Sequence, residues 1–165
     1  DLLAAAVPVR VVEWYQKLIH IVGWKLSAMA PASSAISNLI MSDQGKQDVR
    51  RSNCCVMDCG RQGVRLYFYQ NGLLFAKRGL EFCDTEERLL FELEKIWDYY
   101  QTCYPGYIPE LIYVTGGKRN PLLEAAITEQ LEAECCDWTK LLDNSQEPVR
   151  GLISAEAAGI TFWKG

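Results

Sequence analysis

The sequence predicts an α/β fold: a mixed sheet that contains a three-strand meander, with helices flanking it. Three observations lead there. Strand-like segments follow one another between Cys54 and Phe82, with Asn71-Gly72 set between alternating runs. Two longer segments, after Pro8 and after Asp84, repeat apolar residues at helical spacing. An apolar run, "ELIYVTGG", ends in a glycine pair just ahead of a helix-start signal. The resulting order is β-α-β-α, a meander, then α-β-α. It excludes an all-helical bundle and a pure sandwich.

Taken in order, "LLAAAV" closed by Pro8 reads as a buried strand. Val11, Tyr15, Leu18 and Val22 then recur on one helical stripe, and Gly23 stands where the helix should end. His20 falls off that stripe and reads as a surface residue. "WKLSAMAP" reads as a strand ended by Pro31, "PASSAISNLIM" as a short helix, and the polar "SDQGKQDVRRSN" as a loop. "CCVMDC", "VRLYFYQ" and "GLLFAKRGLEF" form the meander. Asn-Gly marks a hairpin because both turn residues must take positive φ. "DTEERLLFELEKIWDYYQTCY" is a long helix capped by Asp84 or Thr85, and Asp84 with Glu87 has capping-box spacing. Its stripe is Leu89, Leu93, Trp97 and Tyr100, widened by Leu90 and Ile96. "NPLLEAAITEQL" is a helix with Asn120 as cap and Pro121 at its first position. "ECCDWTKLL" carries one more short strand, and "SAEAAGITFW" a short or incomplete closing helix.

The chain has 165 residues, 49% of them hydrophobic and 23% charged, which suits one domain with a real core. A net charge of -4 argues against a general nucleic-acid binder. Seven cysteines are an odd number, two pairs are adjacent, and CxxC spacing is absent. That pattern favours reduced, buried thiols of a cytosolic protein over a disulfide scaffold or a zinc site. No apolar run approaches the ~20 residues that span a bilayer. The chain opens at Asp1 in an apolar run, which predicts a piece of a longer protein.

Chemistry gathers at three places. Asp58 ends a buried strand and is followed by Gly60 and Gly63. A strand-end carboxylate can hold magnesium through water, and the glycines let backbone N–H groups approach a phosphate. The same pattern also serves ordinary turn chemistry. Gly116 and Gly117 lie between a strand and a helix N-terminus, where a nucleotide could lie or a tight turn could form. The spacing is not that of a Walker A loop. Glu92 and Lys95, three apart, share a helix face, which by itself describes a solvated ion pair.

In this order, "VMDCGRQGVRLYFYQNGLLFAKRGLEF" resembles the second phosphate hairpin of the actin-like ATPase clan, and "LIYVTGGKRNPLLEAAITEQL" its adenosine segment. Within the clan the chain is most similar to the PilM family of type IV pilus assembly and to the cytoplasmic part of the type II secretion L family. "AAAVPVRVVEWYQKLIHIVGWKLSAMAPASSAI", "ELEKIWDYY" and "AAGITF" carry that likeness over nearly the whole chain. The resemblance implies a single actin-like, ribonuclease H-like lobe over 1–165, with an opening strand–helix–strand over about 1–30 and a core over 54–165. It implies ATP and magnesium as cofactors, with Asp58, Gly60 and Gly63 at the phosphates and magnesium, Gly116 and Gly117 along the adenosine, and Glu92 and Lys95 near the ribose. It further implies a cytoplasmic scaffold peripheral to the inner membrane. Its partners would be the cytoplasmic segment of an inner-membrane pilus or secretion protein and a secretion ATPase. Two features depart from the family. Val64 or Arg65 stands where a Thr or Ser is usual, and the first phosphate hairpin is missing.

Other readings stand beside the scaffold: a small-metabolite kinase of the clan, a radical-enzyme activator with an iron–sulfur cluster on the cysteine pairs, and a lobe that has lost its nucleotide. Efficient catalysis is not expected, since no residue stands out as a general base.

Overall fold

The computed structural model describes residues 6–26, 29–41, 47–81, 85–107 and 109–142. Among the described residues, five strands make one mixed sheet in the order β3-β2-β1-β4-β5. β1 (Asn53–Gly60), β2 (Gly63–Gln70) and β3 (Leu73–Glu81) form the antiparallel meander. β4 (Leu111–Thr115) and β5 (Glu134–Asp137) continue the sheet parallel to β1. Asn71 and Gly72 take φ of 51° and 75°, the positive pair the hairpin signal requires.

The two faces of the sheet carry two separate cores because strand side chains alternate. One face presents Cys55, Met57, Val64, Leu66, Phe68, Ile112 and Val114 to α4 (Glu86–Cys103) and α5 (Pro121–Leu131). Leu89, Leu90, Leu93, Trp97 and Tyr100 of α4 are buried there, as the stripe predicts. The other face presents Cys54, Val56, Tyr67, Tyr69 and Tyr113 to Ile36, Leu39 and Ile40 of α2 (Ala32–Met41). Ser37 Oγ lies 3.1 Å from the Tyr69 hydroxyl and fixes α2 over the strands.

Helix ends follow from local chemistry. Thr85 caps α4 by accepting from the Arg88 N–H at 3.3 Å. Asn120 caps α5 by accepting from the Leu122 N–H at 3.0 Å, with Pro121 first in the helix. α1 (Val9–Ile21) ends at Gly23, whose φ of 77° lets the N–H groups of Gly23 and Trp24 turn back to the His20 and Ile19 carbonyls.

Three expectations need correction. "WKLSAMAP" is not a strand at residues 24–26 and 29–31, and Ser27 and Ala28 lie outside the described residues. Trp24 is 70% exposed, and the described residues of this run have no ladder partner. The polar stretch expected as a loop contains a short helix, α3 (Gln47–Arg51), anchored by buried Val49. The stripe of α1 buries nothing: Val11, Tyr15, Leu18 and Val22 are all exposed. The first strand falls mostly, and the closing helix and Asp84 wholly, outside the described residues.

Alternation also separates the cysteine pairs. Cys54 and Cys136 belong to the core under α2, while Cys55 and Cys135 belong to the core under α4 and α5. Two cysteines on each side of a sheet cannot share one iron–sulfur cluster. Burial pushes the Cys54 and Cys59 thiols up to about 12, so they stay protonated and inert at neutral pH.

Candidate functional site

The strand register assembles a polar row at one end of the sheet. Asp58 pairs with Arg65 on β2 and with Thr115 on β4, and Arg65 pairs with Gly79 on β3. By alternation, all four lie on the α2 face, one step beyond the apolar row of Tyr67, Val56 and Tyr113. Asp58 is 7% exposed and Thr115 is fully buried; they are the buried polar residues among those described.

The Asp58 carboxylate takes its compensation from Arg65, whose Nη1 lies 3.3 Å from Oδ2. A buried carboxylate without a partner would be costly, and a cross-strand guanidinium supplies that partner. The Arg65 side chain remains 49% exposed, and Nη1 is the donor that engages Asp58.

Glycines set the backbone around this pair, each for its own reason. Gly60 and Gly63 face each other across the two-residue turn Arg61-Gln62. A Cβ on Gly60 would meet only the Gly63 carbonyl, at 3.5 Å, an ordinary contact. A Cβ on Gly63 would lie 2.0 Å from the Leu80 carbonyl, and its φ is 141°. Gly116 (φ 96°) presses on the end of β1: a Cβ there would lie 2.5 Å from the Cys59 carbonyl and 2.8 Å from Asp58 Oδ1. Gly117 faces open space. The Lys118 N–H donates to the Cys59 carbonyl at 3.0 Å and ties this turn to the hairpin.

The expected residues therefore divide. Asp58, Gly60, Gly63 and Gly116 come together at the ends of β1 and β4, with Gly117 beside them. Glu92 and Lys95 do not join them. They form an exposed pair at 2.9 Å on α4, which covers the opposite face of the sheet. Beside the hairpin, Arg61, Gly63, Arg65, Gly79 and Glu81 help line an open cleft of about 700 Å³.

Sequence reasoning missed Thr115 and the pairing role of Arg65. Alternation along "LIYVT" marks Thr115 as sharing a face with Leu111 and Tyr113, but only the parallel register puts it beside Asp58. Arg119 was also passed over. It holds Glu124 with two 3.0 Å bonds and also pairs with Asp137, so it clamps the start of α5 to the end of β5. Burial works to raise the Asp137 carboxyl, yet the Thr139 hydrogen bonds and the Arg119 guanidinium outweigh it and hold the group below its ordinary value.

The residues fit an anion. Arg61, Arg65 and Lys118 stand in or next to the glycine turns along the chain, and backbone at Gly60 and Gly117 is open to close approach. For a magnesium ion of the expected kind, held through water, the row offers one carboxylate. Asp58 is that carboxylate and already carries a cation. Among the described residues, no group of three or more His, Cys, Asp or Glu could hold a metal.

The arrangement is an α/β fold with a mixed sheet and flanking helices, and two solved structures resemble it in fold. The "PilM-PilN type IV pilus biogenesis complex" superposes with a TM-score of 0.67 at 14% identity, covering 90% of this chain and 56% of that one. Ethanolamine utilization protein EutJ from Carboxydothermus hydrogenoformans superposes with a TM-score of 0.54 at 12% identity, covering 84% of this chain and 60% of that one. The chain thus spans less than two thirds of either, and at these identities the likeness is one of fold. No protein-family model and no curated protein matches the sequence. Among the described residues, no helix is long and apolar enough to cross a membrane.

Proposed function

We propose that this chain is the nucleotide-holding lobe of a scaffold that assembles the inner-membrane platform of a type IV pilus or type II secretion system. The observation that carries the reading is the superposition on the pilus biogenesis complex over 90% of the chain. It is supported by the glycine turns and cations gathered at the ends of β1 and β4. ATP would lie with its phosphates at Gly60 and the Arg61-Gln62 turn, near Arg65 and Lys118, and its adenosine toward Gly116 and Gly117. Its role would be to set the shape of the scaffold rather than to be turned over rapidly. The partner would be the cytoplasmic segment of an inner-membrane pilus or secretion protein, which places the scaffold on the cytoplasmic side.

Gly60→Ala gives a clean test, because the added Cβ meets only an ordinary contact in the fold. Calorimetric titration of ATP into the full protein should show saturable binding. Gly60→Ala and Asp58→Ala should each weaken it by about tenfold or more. Gly60→Ala should leave the thermal unfolding midpoint within a few degrees of the parent. Absence of saturable binding in the parent overturns the nucleotide part. Failure of the full protein to retain a pilus or secretion inner-membrane component overturns the scaffold part.

A further inference from the structure

We infer that Arg65 takes the place of a divalent cation at this hairpin, so that the site binds its phosphate-bearing ligand without metal. The inference rests on the nucleotide reading above and specifies how that site balances charge. Asp58 is where a strand-end carboxylate would hold magnesium through water. Its side chain is only 10% exposed, and the guanidinium of Arg65 sits 3.3 Å from Oδ2 on a side chain that is itself half-exposed. The register sets Glu81 opposite Gly63, on the same face and one step from Arg65. Arg65 therefore stands beside Asp58 and one diagonal step from the position of Glu81.

Charge and shape make the exchange chemically sensible. A guanidinium stays protonated at any working pH and presents five donors in a planar fork. One donor engages Asp58. Others, on a side chain that is 49% exposed, remain for phosphate oxygens. A strongly hydrated divalent ion brought to the same carboxylate would meet a like charge already in position. Arg61 lies in the turn beside it and lines the same cleft, which adds positive charge without adding a metal ligand.

The test compares ATP titrations of the full protein in magnesium and in EDTA, for the parent and for Arg65→Thr. Arg65 is half-exposed on a strand, and threonine suits strands, so the variant should fold; its unfolding midpoint checks this. The parent should bind ATP with affinities that agree within about threefold in the two conditions. Arg65→Thr should lose about tenfold or more in EDTA and recover part of it in magnesium, since Asp58 is then free to take the ion. ATP bound by the parent only with magnesium overturns the inference and leaves the nucleotide reading standing. ATP bound in neither condition overturns both.

Discussion

Gly63→Ala should unfold this protein or leave it barely stable, although the change adds one methyl group. The residue sits at φ 141°, a conformation side chains rarely adopt, and its new Cβ would lie 2.0 Å from the Leu80 carbonyl. Relief would require β2 and β3 to separate where Gly63 pairs with Glu81. Backbone strain of about 1–3 kcal/mol and a similar overpacking term together give a loss of about 3–5 kcal/mol. A domain of this size has a margin of about 5–15 kcal/mol, so the loss is a large part of it. Chemical denaturation of the variant beside Gly60→Ala reads the difference directly. Similar stabilities for the two would contradict the hairpin geometry. The contrast matters for function, because three residues apart one glycine serves the fold and the other is free to serve a ligand.

Phe68→Ala should have an effect of the same order for a different reason. Phe68 is fully buried at the centre of the core under α4. Its ring centroid lies 4.4 Å from that of Tyr100, 6.0 Å from Trp97 and 6.1 Å from Tyr107. Phe75 joins the group from β3, at 4.4 Å from Tyr107. Truncation removes a ring that touches the helix, the neighbouring strand and the loop before β4 together. Such substitutions cost about 3–5 kcal/mol, and the surrounding rings are too large to collapse into the gap. Denaturation should therefore show a lower midpoint, and Phe68→Leu should recover much of it. A loss below about 1 kcal/mol would mean that α4 does not depend on this contact.

Much of the fold was legible because local chemistry and burial agree in the core. Asn71-Gly72 fixed one hairpin, Asn120-Pro121 one helix start, and the spacing Leu89, Leu93, Trp97 and Tyr100 one helix face. The misreadings fall where an apolar run has no neighbour to bury against. "WKLSAMAP" has strand-like composition, yet a strand exists only when a ladder partner is present. Val49 shows the reverse case, in which one buried side chain holds a turn of helix inside a polar stretch.

The candidate site was legible in pieces rather than as a constellation. Asp58 and the glycines stand out in the sequence because each has a local signature. Arg65 and Thr115 have none. Their relation to Asp58 is set by one antiparallel and one parallel register, and pairing between distant segments is not written in either segment alone. Glu92 and Lys95 show the opposite limit. Their spacing made a helix face plausible, but only the layer order of the fold reveals that this face lies across the sheet from Asp58.

The two-residue turns of the meander also set an order of assembly. Closing β1 on β2, and β2 on β3, fixes very short loops, whereas β4 reaches β1 only after the whole meander and α4 have intervened. Short closures cost less chain entropy and form sooner. Pulse-labelled amide exchange during refolding should therefore protect β1–β3 before β4. Asp58 and Arg65 belong to that early unit, and Gly116 arrives with the late strand. The ion pair is thus in place while its surroundings are still open, and the glycine turn closes over a carboxylate that has already been neutralised.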